Sequence, residues 1–227
     1  MKNIEKNVIE DFGKEWKHFN QNNDIELELE KLFKNYFRIF PFDKINHLSE
    51  GFDMGCGTGR WARFIAPKVK KLNCIDPSQN ALEVAKNNLK HYGNCFFENN
   101  SVMDNSIKKS SQDFGYCLGV LHHIPDTYSG LEKCVQKLKK GAPLLLYLYY
   151  RFDNKPLWFV AIWKLSDFLR LLISKLPFRI KLMLTTIIAI FIYYPFAKLS
   201  LTMEKLGFDI SNIPISAYKN NSLYTMK

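Results

Sequence analysis

Three glycines stand at alternate positions, Gly55, Gly57 and Gly59, directly after a short apolar run. Glycines at this spacing let the backbone turn tightly and approach a ligand, while the amides of a following helix point at that ligand. A phosphate-binding NTPase loop would continue with Gly-Lys-Ser/Thr, but Arg60 follows Gly59. A dinucleotide-binding loop spaces its glycines as G-x-G-x-x-G, whereas this chain reads G-x-G-x-G. A nucleoside ligand that lacks the pyrophosphate is the third class.

Two adjacent histidines, His122 and His123, follow the fourth short apolar run and could carry chemistry of their own. A neutral imidazole is well suited to act as a general base near pH 7. Metal binding would need a third ligand, and the neighbouring sequence offers none. The cysteines have no Cys-x-x-Cys or Cys/His spacing, so we expect free thiols in a reducing compartment and no metal site. They are Cys56, Cys74, Cys95, Cys117 and Cys134.

The elements that must position these residues alternate between short apolar runs and helices from residue 50 onward. This alternation at 10–15-residue spacing is typical of a doubly wound, mostly parallel α/β sheet, in which ligands bind beyond the carboxyl ends of the strands. The glycine cluster and the histidine pair both follow predicted strands. We predict strands at 51–54, 72–75, 95–98, 113–118 and 143–150, and helices at 60–66, 80–91 and 128–140.

The first 48 residues are predicted to form a helical cap ahead of a core at 49–150. Apolar residues recur at three-to-four spacing over 5–19 and again over 24–37, and the second helix ends before Pro41. Phe12, Trp16 and Phe19 on the first helix either cover the ligand or simply pack on the core, and packing is the simpler interpretation.

Residues 151–227 are predicted to form an apolar helical region with a short tail. The run 182–197 is uncharged, but it has only 16 residues and contains Pro195, and a spanning helix needs about 20 residues. Three interpretations stay open: a helical subdomain buried against its own core, a helix in a membrane interface or gripping a lipid-like substrate, and a spanning helix. We expect a possible peripheral membrane contact through 157–201, and a hairpin over 213–217 and 222–226.

The charge is concentrated in that last region. The chain carries 32 Lys+Arg against 22 Asp+Glu, a net charge of +10, and residues 151–227 alone contain 11 basic and 4 acidic residues. Basic and apolar residues in one segment favour a membrane surface or lipid-like partner over bare nucleic acid. The N-terminal residues alternate in charge and show no apolar signal sequence, so we expect a cytoplasmic protein.

Three segments together resemble the motifs of class I S-adenosylmethionine-dependent methyltransferases. They are GFDMGCGTGRWARFIA, LNCIDPSQNALEVAKNNL and DFGYCLGVLHHIPD, and the resemblance covers roughly residues 50–150. It implies the Rossmann-like methyltransferase fold and S-adenosylmethionine as cofactor. A segment around 148–179 further resembles bacterial methyltransferases of unassigned substrate that continue with more strand and helix. The last two strands of the usual seven-stranded sheet are therefore expected to be absent or reduced to 213–226.

The same resemblance implies a set of cofactor-binding residues. Asp53 and the glycine loop would flank the methionine part of the cofactor, and Asp76 would accept hydrogen bonds from both ribose hydroxyls. As alternatives, Asp53 is an ordinary acidic turn residue and Asp76 caps the next helix. The family's usual adenine-binding Asp is replaced here by Ser101 and Val102, with Asp104 three residues further on. The full implied set is Asp53, Gly55, Cys56, Gly57, Gly59, Asp76, Pro77, Ser78, Ser101, Val102, Gly119 and Leu121.

The resemblance implies methyl transfer to a small, hydrophobic or amphiphilic acceptor. Members that act on amines of nucleic-acid bases often carry Asn/Asp-Pro-Pro-Tyr/Phe after the fourth strand, and this chain has Gly-Val-Leu-His-His there instead. His122 and His123 would either pack around the cofactor or act as a catalytic base. A non-catalytic nucleoside-binding protein, an RNA methyltransferase and a dehydrogenase are the alternatives.

Overall fold

The computed structural model describes residues 26–149, 152–221 and 223. The chain forms two compact units that divide between Tyr149 and Tyr150. The helix predicted over 5–19, with Phe12, Trp16 and Phe19, lies outside the described residues. In the first unit the elements are, in chain order, α1 (Glu26–Tyr36), β1 (Glu50–Met54), α2 (Ala62–Ile65), β2 (Lys71–Asp76), α3 (Gln79–Asn88), β3 (Cys95–Asn99), β4 (Phe114–Leu118), α4 (Thr127–Lys137) and β5 (Leu144–Tyr147).

These five strands form one parallel sheet in the order β3-β2-β1-β4-β5. The chain starts in the middle of the sheet, winds outward to β3 and then crosses to β4 and β5, so the order reverses beside β1. The predicted doubly wound parallel α/β fold is therefore confirmed. A reversal of this kind leaves a crevice at the carboxyl ends of β1 and β4, where such sheets bind ligands.

Both faces of the sheet are covered, which explains why its central strands read as continuous apolar runs. On one face α1 contributes Phe33 and Phe37, and the Phe37 ring meets the Tyr116 ring of β4 edge-on at 5.3 Å between centroids. On the other face Phe52 and Met54 of β1 pack with residues of the loops that follow β3 and β4. The α1 helix is thus part of the core and holds the strands that carry the site.

Glycines let the central strands pack closely against aromatic rings. A Cβ at Gly51 of β1 would lie 2.3 Å from the Phe114 ring of β4, and a Cβ at Gly115 of β4 would lie 2.2 Å from the Phe52 ring of β1. Gly51 therefore leaves space for the Phe114 ring, and Gly115 leaves space for the Phe52 ring. These rings fill the two faces of the sheet beneath the site without a void.

The prediction for the fifth strand was too long. The segment 143–150 was expected to be extended throughout, but β5 spans only Leu144–Tyr147. It is an edge strand whose one partner in the sheet, β4, ends opposite Tyr147 at Leu118, so the ladder has no groups left to pair with beyond that point.

The second unit is mainly helical among its described residues. It contains α5 (Leu157–Ser174), α6 (Phe178–Ile188), a π-helical turn (Ala189–Tyr193) and α7 (Tyr194–Lys205). The last three are continuous, and the helix Arg179–Lys205 is long and apolar enough to cross a membrane by length and composition. Only 11% of its most apolar stretch is buried, which does not fit a helix enclosed by its own core.

The predicted hairpin at the end of the chain was wrong in its first arm. Residues 213–217 form turns that lead into a 3₁₀ helix at Ser216–Tyr218, and Ile215 has a left-handed φ of 68°. Backbone of this kind cannot pair along a strand. Of the second arm, at 222–226, the structure describes only residue 223.

Candidate active site

The glycine loop begins where β1 ends and is held against β2. The amides of Gly55 and Cys56 both donate to the carbonyl oxygen of Ile75, at 2.7 and 3.0 Å. On the other side of the loop, the side-chain amide of Asn88 in α3 donates to the carbonyl oxygen of Thr58 at 3.1 Å. The loop is therefore preorganised in the crevice beside β1, where the topology places a ligand.

All three glycines of the loop need to be glycine. Gly55, Gly57 and Gly59 have φ values of 79°, 54° and 74°, in the left-handed region that side chains disfavour. Space is also lacking at two of them: a Cβ on Gly55 would meet Val120 at 2.3 Å, and one on Gly59 would meet Leu89 at 2.6 Å. The spacing thus serves the tight turn and the packing of the loop against its neighbours.

Asp76 ends β2 and points its carboxylate at this loop. Its Oδ2 accepts the amide of Gly57 and its Oδ1 accepts the amide of Ser78, both at 2.8 Å. Burial raises the pKa of the Asp76 carboxyl, and the two amide hydrogen bonds oppose that rise. A carboxylate has about four acceptor positions, so two are left for a ligand.

Asp76 does not cap the helix that follows. The N-cap of α3 is Ser78, whose hydroxyl accepts the amide of Ala81 at 3.4 Å. The N-cap alternative for Asp76 was therefore wrong. If Ser78 also contacts a ligand, it does so while its hydroxyl caps α3. Pro77 lies between the two and is half-buried.

Asp53 lies near the end of β1 and is only 1% exposed. Its Oδ2 has no hydrogen-bond partner among the described residues. Burial raises the pKa of this carboxyl to about 8, with the Tyr116 hydroxyl opposing the shift and the Asp76 carboxylate adding to it. An unpaired buried carboxyl costs stability. This does not fit an ordinary turn residue, and it is typical of a group kept for a ligand.

The loop after β3 is ordered by its own polar side chains. Ser101 and Val102 are both buried, and the Ser101 hydroxyl accepts the amide of Met103 at 3.1 Å. The Asn105 side-chain amide donates to the carbonyls of Ser101 and Val102, at 3.2 and 2.9 Å. Asp104 is exposed. Asn105 was not singled out in the sequence, because a lone Asn in a polar segment gives no signal.

The loop after β4 carries the histidines. Gly119 has a φ of 77° and open space where its Cβ would lie, and its amide donates to the carbonyl of Tyr147 at 3.0 Å. Leu121 is fully buried at the start of a 3₁₀ turn that includes both histidines. The open side of Gly119 faces away from this packing and leaves backbone accessible to a ligand.

His122 is held as a neutral imidazole. Its ring stacks on Tyr149 with 3.9 Å between centroids, and its Nδ1 accepts the amide of Tyr149 at 3.4 Å. Burial and the neighbouring His123 lower the pKa of His122 to about 4. Its buried Nε2 has no partner among the described residues, and with Nδ1 accepting it carries the proton. His122 is thus a weak base at neutral pH and a better hydrogen-bond donor.

A row of aromatic side chains borders the site and was missed in the sequence. Tyr36 of α1 meets Trp61 at 5.0 Å and Tyr147 at 4.9 Å between centroids, and Tyr147 meets Tyr149 edge-on at 6.0 Å. The guanidinium of Arg60 lies 4.5 Å from the Trp61 ring centre. These residues are scattered between positions 36 and 149, so only the fold brings them together.

All five cysteines lie in the described part of the chain. Cys56, Cys74, Cys117 and Cys134 are buried, Cys95 is half-buried, and all five are free thiols. The described residues contain no group of three or more His, Cys, Asp or Glu side chains that could hold a metal ion.

Comparison with known proteins shows what this chain is similar to. Residues 52–144 match the model of a methyltransferase domain family. The ubiquinone biosynthesis O-methyltransferase of Escherichia coli O9:H4 (strain HS) is 26% identical, over 63% of this chain and 63% of that protein. The protein of the same name from Escherichia coli O157:H7 is 27% identical, over 60% of each chain. The chain therefore spans less than two thirds of the length of these relatives.

Two solved structures illustrate the similarity in fold. The YcgJ protein of Bacillus subtilis is 22% identical, with a TM-score of 0.47 over 56% of this chain and 52% of that chain. The phosphoethanolamine N-methyltransferase 1 of Haemonchus contortus, in complex with phosphoethanolamine and S-adenosylhomocysteine, is 16% identical. Its TM-score is 0.48 over 58% of this chain and 29% of that chain.

Proposed function

We propose that this protein is a class I S-adenosylmethionine-dependent methyltransferase that transfers a methyl group to a small, amphiphilic acceptor. The match of residues 52–144 to a methyltransferase domain family and the similarity to O-methyltransferases support this proposal. The observation that carries the proposal is the Asp76 carboxylate, hydrogen-bonded to the Gly57 amide beside a loop of positive-φ glycines. That pair lies at the carboxyl edge of the sheet, next to the point where the strand order reverses.

The residues present fit the cofactor. Asp76 has acceptor capacity for the two ribose hydroxyls. Within the part of the chain that the structure describes, the buried Oδ2 of Asp53 has no partner that a ligand would need to displace. The backbone at Gly57 and Gly119 can be approached closely because neither carries a side chain. When bound, S-adenosylmethionine supplies a methyl group already activated on a sulfonium, so the protein mainly has to align the acceptor. For the adenine, Ser101 and Val102 are the candidate contacts, with Pro77, Ser78, Cys56 and Leu121 as further cofactor-binding candidates.

The aromatic row supports an acceptor with apolar surface. Tyr147 and Tyr149 are 41% and 67% exposed at the end of β5, and Tyr36 and Trp61 extend the row towards the glycine loop. Aromatic rings in this arrangement bind flat or apolar groups and keep water away from them.

An acceptor oxygen is the first to test, since the curated relatives are named as O-methyltransferases. A hydroxyl acceptor has to lose a proton during transfer. His123 is the candidate base for that proton, while His122, held neutral with Nε2 as donor, is placed to orient the acceptor or cofactor. Both histidines therefore keep a proposed catalytic role, but not the same one.

We propose a cytoplasmic location and a small-molecule substrate in preference to nucleic acid. The loop after β4 reads Gly-Val-Leu-His-His, the form usual for small-molecule and lipid methyltransferases. The alternatives are a nucleoside-binding protein without turnover and an RNA methyltransferase.

The test of this function is transfer of a radiolabelled methyl group from S-adenosylmethionine into a cell extract. We expect label in small molecules that partition into organic solvent, and no more label than a no-enzyme control in RNA or protein. Label in RNA would overturn the small-molecule acceptor. No transfer to any fraction, despite tight cofactor binding, would favour the non-catalytic alternative.

A further inference from the structure

The helix α5 exposes a continuous apolar face. None of its residues is buried. At 100° per residue, one half of the helix carries apolar side chains and no charged residue, while Lys164, Asp167, Arg170 and Ser174 lie on the other half. That polar half also contains apolar residues, namely Phe159, Val160, Trp163 and Leu171. The exposed members of the apolar half include Leu157, Trp158, Ile162, Leu165, Phe168, Leu169 and Leu172, at 50% exposure or more. A soluble surface helix ordinarily hides such a face.

Positive charge surrounds this face. From residue 155 to residue 181 the chain has six basic residues and one acidic residue, Asp167. The basic residues stand before, within and after α5, as Lys155, Lys164, Arg170, Lys175, Arg179 and Lys181. An apolar face with a basic border, and with tryptophan near its start, is the pattern of a helix that lies in the surface of an anionic bilayer.

The helix Arg179–Lys205 is long and apolar enough to cross a membrane, but the length of its uncharged run favours lying on the membrane surface. The uncharged run 182–197 has 16 residues, which gives a helical length of about 24 Å. The hydrocarbon core of a bilayer is about 30 Å thick. Pro195 and the π-helical turn Ala189–Tyr193 also interrupt the regular backbone within this run.

A second copy of the chain is a weaker candidate for covering the face. A symmetric pair would bring two strongly basic borders together with a single acidic side chain per copy to offset them. Lipid headgroups supply the negative charge that this border lacks.

We propose that the helical unit 150–227 binds the surface of anionic membranes through the apolar face of α5, with the basic residues around it contacting lipid headgroups. The proposal does not depend on methyl transfer, so either can fail without the other. It would give a methyltransferase access to acceptors dissolved in the bilayer.

The test is sedimentation of the full chain with vesicles, comparing two variants of equal charge. Leu169→Glu adds a carboxylate to the middle of the apolar face, and Ser174→Glu adds the same carboxylate to the polar half of the same helix. We expect the wild type to bind vesicles of phosphatidylcholine mixed with phosphatidylglycerol, and to bind pure phosphatidylcholine far less. Leu169→Glu should weaken binding by at least about tenfold more than Ser174→Glu does.

Several results would overturn the proposal. An equal loss of vesicle binding in the two variants would mean that the protein binds vesicles through charge alone and not through the apolar face. A large drop in thermal stability of Leu169→Glu would mean that the chain itself covers the face. Concentration-dependent dimers abolished by Leu169→Glu, without vesicle binding, would assign the face to a second copy. Protein that alkaline carbonate does not extract would indicate spanning.

Discussion

Replacing Asp76 with alanine should weaken the binding of S-adenosylhomocysteine by at least about 100-fold. Two hydrogen bonds from ribose hydroxyls to a carboxylate are lost, and each hydrogen bond to a charged group contributes about 1.5–3 kcal/mol. The substitution also removes the acceptor of the Gly57 amide, so the loop loses part of its anchorage. Calorimetric titration of the variant against the wild type measures the loss.

The matched control is Asp113→Ala. Asp113 also accepts a backbone amide of the sheet, that of Glu50 at 2.9 Å, but it lies just before β4 at the opposite edge. Its loss disturbs the sheet to a similar degree without touching the proposed site, so cofactor affinity should stay at the wild-type value. Wild-type affinity in Asp76→Ala would show that Asp76 does not hold the nucleoside.

Replacing Asp53 with asparagine should stabilise the ligand-free protein, and more so at higher pH. The folded-state pKa of about 8 lies above the value of about 3.9 in an unfolded chain. Below pH 4 the Asp53 carboxyl is protonated in both the folded and the unfolded chain, so it does not affect the free energy of unfolding. As the pH rises towards 8, the unfolded chain ionises while the folded protein does not, and the free energy of unfolding falls. Integrated over that window, ionising Asp53 costs up to about 5 kcal/mol, which an uncharged amide avoids.

The measurement is the free energy of unfolding of the wild type and Asp53→Asn, from urea denaturation at several values between pH 4 and pH 8. The difference should grow with pH. Asp113→Asn is the control: burial of Asp113 is outweighed by hydrogen bonds from Glu50 and Lys139, so its pKa is lowered and its titration falls below this window. A difference for Asp53→Asn that stays constant with pH would contradict the raised pKa.

The stabilisation by Asp53→Asn should be accompanied by weaker binding of the cofactor. If Asp53 flanks the methionine part of S-adenosylmethionine, the positive sulfonium favours its ionised form, and the neutral amide loses that attraction. Binding sites often keep groups that destabilise the empty protein. Asp53→Asn should therefore be more stable and bind S-adenosylmethionine more weakly.

Local chemistry made the conformation of the glycine loop predictable from the sequence. The glycine spacing needs positive φ values whatever surrounds it, and the alternation of strands and helices places Asp76 at the same edge of the sheet. Contacts between distant residues were beyond the sequence. The pKa of His122 depends on its stacking with Tyr149, and the role of Ser78 as cap depends on where α3 begins.

The two wrong predictions, the length of β5 and the hairpin at 213–217, also concern features that the local sequence does not reveal. Apolar residues up to position 150 continued the pattern of a strand, but β5 ends where its partner β4 ends. The mainly apolar segment at 213–217, followed by Lys219-Asn220-Asn221, was compatible with the first arm of a hairpin by composition. Its left-handed residue is an isoleucine, which gives no turn signal.

The most direct test of the cofactor assignment is calorimetric titration of the purified full chain with S-adenosylhomocysteine and, separately, with NADH. We expect micromolar binding of S-adenosylhomocysteine and no binding of NADH, because the loop has the glycine spacing of a nucleoside site and lacks that of a dinucleotide site. Binding of NADH alone would contradict it, and so would a folded chain that binds neither ligand.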